Sequence, residues 1–114
     1  MNQNSSEIAM QVDSSVVDRL ISGIVETVHP LKIILFGSVT RNEMRPGSDI
    51  DVLVVMPEGT HRRRTAQLLY QRIRGIGAPF DILVATPSDL ERYKDNMGLI
   101  YRTVLQEARE VYAA

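Results

Sequence analysis

Residues 31–56 read LKIILFGSVTRNEMRPGSDIDVLVVM, and this stretch decides the fold. Two runs within it, 31–36 and 50–56, carry apolar side chains at odd and even positions alike. That is the pattern of short strands covered on both faces. Gly37-Ser38 ends the first run abruptly, and Arg45-Pro46-Gly47-Ser48 is a turn signal ahead of the second. A short helix fits between them, over residues 39–43. The connection is brief, so the two strands can run antiparallel. Gly37, at the end of one, then lies beside Asp49, at the start of the next.

Toward the C-terminus, Thr60 is the expected N-cap of a helix reaching about Ile76, with Ala66, Leu69, Ile73 and Ile76 as its apolar stripe. Gly75, Gly77 and Pro79 close it. Residues 80–85, FDILVA, form a third strand. A helical crossover of roughly four turns suits parallel neighbours. Thr86-Pro87 opens a further helix, with threonine as N-cap and proline in the first helical position. Ile100, Val104, Ala108 and Val111 recur at helical spacing and predict a last helix. Toward the N-terminus, a helix starting at Ser14 or Ser15 buries Val16, Val17, Leu20, Ile21, Ile24 and Val28, and Pro30 stops it near His29. The expected architecture is α/β: a small mixed sheet of about three strands packed with helices. Residues 1–12 are expected to be a flexible lead-in and residues 13–114 a single domain.

Composition supports a packed globule, since 44% of the residues are hydrophobic. The chain has no cysteine, which excludes a disulfide framework and a thiolate metal site. A net charge of −1 steers it toward neither nucleic acid nor membrane, and direct nucleic-acid binding is not expected. The polar start, Met1 to Ser6, carries no basic or apolar leader, and no apolar run approaches a membrane span, so a cytoplasmic protein is expected.

Chemistry concentrates at Asp49, Asp51 and Asp81. The first two are two residues apart at the mouth of a strand, so their side chains point the same way. Neighbouring carboxylates repel each other and resist full ionisation, and a divalent cation cancels that repulsion. Asp81 likewise opens an otherwise apolar run. The topology gathers all three at one sheet edge with the Gly37-Ser38 turn. Two Mg²⁺ ions about 3.5–4 Å apart in such a site would clamp an in-line displacement at phosphorus. Asp49 and Asp51 would bridge both ions, and Asp81 would complete the attacking side and accept a proton. Gly37 lets backbone approach a phosphate, and Ser38 offers an N–H and a hydroxyl where a helix N-terminus favours anions. Ser38 reads equally as a helix cap, and Arg41 either neutralises the triphosphate or is a solvated helix residue.

Gly37-Ser38, ten residues, then Asp49-Ile50-Asp51, followed by FDILV around Asp81, resembles the signature of the DNA polymerase β-like nucleotidyltransferase superfamily. The text GSVTRNEMRPGSDIDVLVV is similar to its minimal nucleotidyltransferase (MNT) branch. The likeness spans about residues 16–112. It implies the polymerase β-like nucleotidyltransferase fold, ATP as co-substrate, and an antitoxin that modifies a HEPN-type RNase toxin by moving AMP onto a toxin tyrosine. Alternatives are a non-catalytic toxin-binding module and a nucleotidyltransferase for a small molecule such as an aminoglycoside. The little chain left after Asp81 looks committed to packing, so the acceptor is expected to arrive on a partner.

Other features have plainer readings. His61-Arg62-Arg63-Arg64 lies opposite the apolar stripe of its helix and reads as a solvated face, with contact to an acidic partner or to ATP phosphates as the alternative. Tyr70, Tyr93, Tyr101 and Tyr112 read as packing residues rather than acceptors of AMP.

Overall fold

The computed structural model describes residues 14–36, 50–96 and 108–114, and the side chains among these except at Ser14 and residues 93–96. The expected short helix at 39–43 lies outside them, as do the lead-in and residues 97–107. Helix α1 (Ser14–Val28) begins where the serines predict. It ends at His29, whose φ of 50° is left-handed and whose N–H donates to the Val25 carbonyl at 3.0 Å. This is a single-residue helix terminus of the kind glycine usually supplies, here adopted by a histidine. Pro30 follows, fully buried, and directs the chain into strand β1 (Lys32–Phe36).

β1 pairs antiparallel with β2 (Ile50–Val55), with Phe36 opposite Asp51. Helix α2 (Arg62–Arg72) then carries the chain back, and β3 (Phe80–Ala85) pairs parallel with β2. Both orientations agree with those expected from the connection lengths. α2 is shorter than its stripe implies. Its N-cap is His61, whose Nδ1 accepts from the Arg64 N–H at 3.1 Å, while the Thr60 hydroxyl donates to the Pro57 carbonyl. It stops at Arg72 because Ile73 is already extended, and Gly75 and Gly77 take positive φ beyond it.

Helix α3 (Pro87–Asn96) starts with a capping box. The Thr86 N–H donates to Asp89 Oδ2 at 3.0 Å, and the Asp89 N–H returns a bond to the Thr86 hydroxyl at 3.3 Å.

The C-terminal segment corrects the end of the expected last helix, at Val111, and with it the count of three strands; Ile100 and Val104 lie outside the described residues. Residues Arg109–Ala113 form strand β4, paired antiparallel with β1 across one irregularity, so the sheet has four strands among the described residues, in the order β3-β2-β1-β4. The physical reason is long-range. Without β4, the buried strand β1 would leave one row of backbone groups unpaired. Val111 and Tyr112, both good strand formers, pack against the core instead of continuing a helical stripe.

Alternation along the strands divides the sheet. Ile33 and Leu35, then Ile50, Val52 and Val54, then Ile82 point to one side and join Leu20, Ile24, Leu69 and Ile73 of the α1 and α2 region in a single core. α1 closely touches the residue that follows α2: a Cβ built on Gly23 would lie 3.2 Å from the Ile73 side chain.

Candidate functional site

The opposite side of the sheet holds the acidic residues. β2 and β3 run parallel in a register that makes Asp51 and Asp81 Cα partners. Partners in a parallel pair share a face, and neighbouring strands lie about 4.8 Å apart. Asp51 is half-buried and Asp81 exposed. Each is the second residue of its strand, so both sit at the edge where β2 and β3 begin. The register thus places Asp81 beside Asp51 of the preceding strand. Asp49 directly precedes β2 and lies outside the described residues, as do Gly37, Ser38 and Arg41. Gly37 follows Phe36 in the chain, and Phe36 is the residue paired with Asp51 from the other side.

This face changes character along the strands. Val55 and Ala85, at the far end, are 2% and 4% exposed. Leu53 is half-buried, and its partner Leu83 is 56% exposed, next to Asp81 on the same face. The carboxylate end is thus the open end. Among the described residues no arginine, lysine or histidine forms an ion pair with Asp81.

The donor set fits a hard divalent cation. Two carboxylates on adjacent strands supply oxygen ligands only, the preference of Mg²⁺, and their mutual repulsion is relieved by a bound cation. No cluster of three acidic or histidine ligands occurs among the described residues, so a third protein ligand would come from outside them.

The opposite end of the same sheet holds a second polar group, which the sequence did not advertise. Arg62, the first residue of α2, donates from its guanidinium to Asp89 Oδ1 at 2.6 Å. Its guanidinium is therefore tied down although the side chain stays 52% exposed, so it keeps the solvated position expected of it and gains a partner there. Asp89 is buried, and the Thr86 N–H, then the Arg62 guanidinium and the Thr86 hydroxyl, hold its carboxyl below the ordinary carboxylate range against the opposing effect of burial. Beside it, Glu58 accepts from both the Ser88 N–H and the Ser88 hydroxyl at 2.7 Å, and those bonds lower its carboxyl as well. Arg63 and Arg64 are exposed, as expected.

Tyr70 does pack, but it also makes a specific bond. Its ring stacks on Phe80 at a centroid distance of 5.7 Å, and its hydroxyl accepts from the Ile82 N–H at 2.8 Å.

Comparison with known proteins bears on the family and the fold. Residues 17–113 match the family described as Nucleotidyltransferase domain. Among solved structures, the chain is similar to a protein from Sulfolobus solfataricus that is provisionally named a nucleotidyltransferase, at 23% identity and a TM-score of 0.55, over 81% of this chain and 80% of the other. At that identity the likeness speaks for the fold. No curated protein sequence matches. No helix among the described residues is long and apolar enough to cross a membrane.

Proposed function

The chain belongs to the nucleotidyltransferase domain family, and from that membership we propose that it moves AMP from ATP onto a tyrosine hydroxyl of a HEPN-type RNase toxin, so acting as its antitoxin. The observation that carries the chemistry is the register of β2 and β3, which pairs Asp51 with Asp81 on the open end of the sheet. The acceptor and the partner rest on the resemblance of the GSVTRNEMRPGSDIDVLVV stretch to the MNT branch.

In this reading the acceptor oxygen attacks the α-phosphorus of ATP. A new P–O bond forms, the α–β bridging bond breaks in line with it, and pyrophosphate leaves. The proton of the acceptor hydroxyl passes to Asp81, which is exposed and can release it to solvent. Asp49, Asp51 and Asp81 are the residues that would hold Mg²⁺, which when bound neutralises triphosphate and pyrophosphate charge and favours deprotonation of the acceptor. Gly37 and Ser38 would cradle phosphate oxygens, and Arg41 would add a positive charge to offset the triphosphate. The exposed face around Leu83 leaves room for a protein carrying the hydroxyl to approach Asp81.

The test uses a candidate HEPN partner, Mg²⁺ and ATP labelled at either the α- or the γ-phosphate. Label should reach the partner from the α position alone. Label from γ identifies a kinase and overturns the proposal. Absence of label, with toxin neutralisation intact in an Asp49→Asn, Asp51→Asn double variant, identifies a binding module instead. Labelling of an aminoglycoside but not of the partner identifies a small-molecule enzyme.

A further inference from the structure

We infer that Tyr70 is a positioning residue for Asp81, an inference that rests on the site read above. Among the described residues β3 is an edge strand, paired with β2. Asp81 is its second residue, at the end of the strand where fraying begins. The ladder to β2 holds that end from one side, as far as the Ile50 N–H donating to the Pro79 carbonyl at 3.0 Å, and leaves the outer side of the strand to be held from elsewhere. Tyr70 does this from α2 at both chain neighbours of Asp81. Its ring lies flat on Phe80, with an interplanar angle of 9° and 5.7 Å between centroids. Its hydroxyl takes the Ile82 N–H at 2.8 Å. The Phe80 and Ile82 side chains point to the helix side and Asp81 to the other, so the clamp holds the backbone without occupying the site.

Tyr70 is also placed oddly for a residue that only packs. It is 43% exposed, while Leu69 beside it is 0% exposed. Its contribution lies in the contact with Phe80 and the bond to β3. Groups that orient a metal ligand from behind typically change metal affinity or activity by about 10–100-fold when removed. A displacement of a few tenths of an ångström at Asp81 alters its distance both to a cation and to an acceptor hydroxyl.

The experiment measures Mn²⁺ affinity of the full chain, by loss of the free-ion electron paramagnetic resonance signal with α,β-methylene-ATP present, alongside kcat and KM for ATP. Tyr70→Ala should weaken Mn²⁺ binding about 10–100-fold and lower kcat with KM for ATP nearly unchanged. Tyr70→Phe, which keeps the ring, should recover most of that loss. Mn²⁺ affinity in Tyr70→Ala within twofold of the parent, while Asp81→Asn loses it, overturns the positioning role and leaves the site reading standing. Mn²⁺ affinity and transfer unchanged in Asp81→Asn overturn the site reading and Tyr70 with it. If Tyr70→Ala does not fold, Tyr70→Phe decides. A few-fold loss of Mn²⁺ affinity at an unchanged melting temperature supports the role, and unchanged affinity despite faster exchange of the Ile82 amide overturns it.

Discussion

The two faces of the sheet are built from the same strands and differ in nearly everything else. On the helix face, Ile33, Ile50, Val52 and Val54 are fully buried against Leu20, Ile24 and Leu69. On the other, the register that aligns Val52 with Ile82 also aligns Asp51 with Asp81 and Leu53 with Leu83. One pairing register therefore sets the core and the candidate site together. A slip of one residue would bring the carboxylates into the core and the aliphatics into water. Within the second face there is a further gradient, from buried Val55 and Ala85 to exposed Leu83 and Asp81. Stability is concentrated on one side, and the candidate site takes the open end of the other.

Substitutions on either face should separate these roles. The largest effect is expected at Asp51→Asn, which should lower transfer by on the order of a thousandfold, the several kcal/mol of charge stabilisation that a bound divalent ion supplies. Thermal melting of the metal-free protein should show no large loss, because the change also relieves repulsion with Asp81. A large drop in melting temperature would mean that Asp51 is structural. Leu69→Ala, on the helix face, should reverse that profile. Urea unfolding should report a loss of about 2–5 kcal/mol, with activity per folded molecule retained. Leu83→Ala is the control on the open face, where a change within about 0.5 kcal/mol is expected.

An effect smaller than that of Leu69→Ala is expected at the far end of the sheet. Asp89→Ala removes the carboxylate that accepts the Thr86 N–H in the capping box and that pairs with Arg62, and should cost about 1–2 kcal/mol near neutral pH. Because the Asp89 carboxyl is held below its ordinary value, its contribution is complete above the unfolded carboxylate pKa of about 3.9 and fades as pH falls through the lower folded value. The substituted protein should therefore differ most from the parent at neutral pH, and the two should converge in acid. Equal differences at pH 7 and pH 2.5 would show that the carboxylate charge is not what matters.

Much of this arrangement was legible from the chain alone, for local reasons. The apolar runs at 31–36 and 50–56, the short connection between them and the helical crossover to residues 80–85 dictate the order and direction of three strands. The pair Asp49 and Asp51 at the mouth of one apolar run, and Asp81 opening another, mark the three aspartates as site candidates. β4 was not legible. Ala108 and Val111 continue a helical spacing from Ile100 and Val104, and a five-residue strand is too short for alternation to contradict it. What makes it a strand is the open edge of β1, some eighty positions away in the chain. The tie between Arg62 and Asp89 spans 27 residues and leaves no local trace. Tyr70 looked like packing because its bond partner is a backbone N–H, and no sequence pattern shows which backbone groups a strand leaves at its edge.

The ties around Glu58 and Asp89 have a consequence for how the molecule opens. Glu58, in the loop after β2, holds Ser88 in the first turn of α3, and Arg62, at the start of α2, holds Asp89 one residue further on. The Met56 N–H donates to the Ala85 carbonyl just beneath them. The two loops leaving β2 and β3 are thus stitched into one cooperative unit, a foldon in which neither segment is released without the other. Native-state proteolysis should find no stage at which one of these loops is cleaved while the other stays protected.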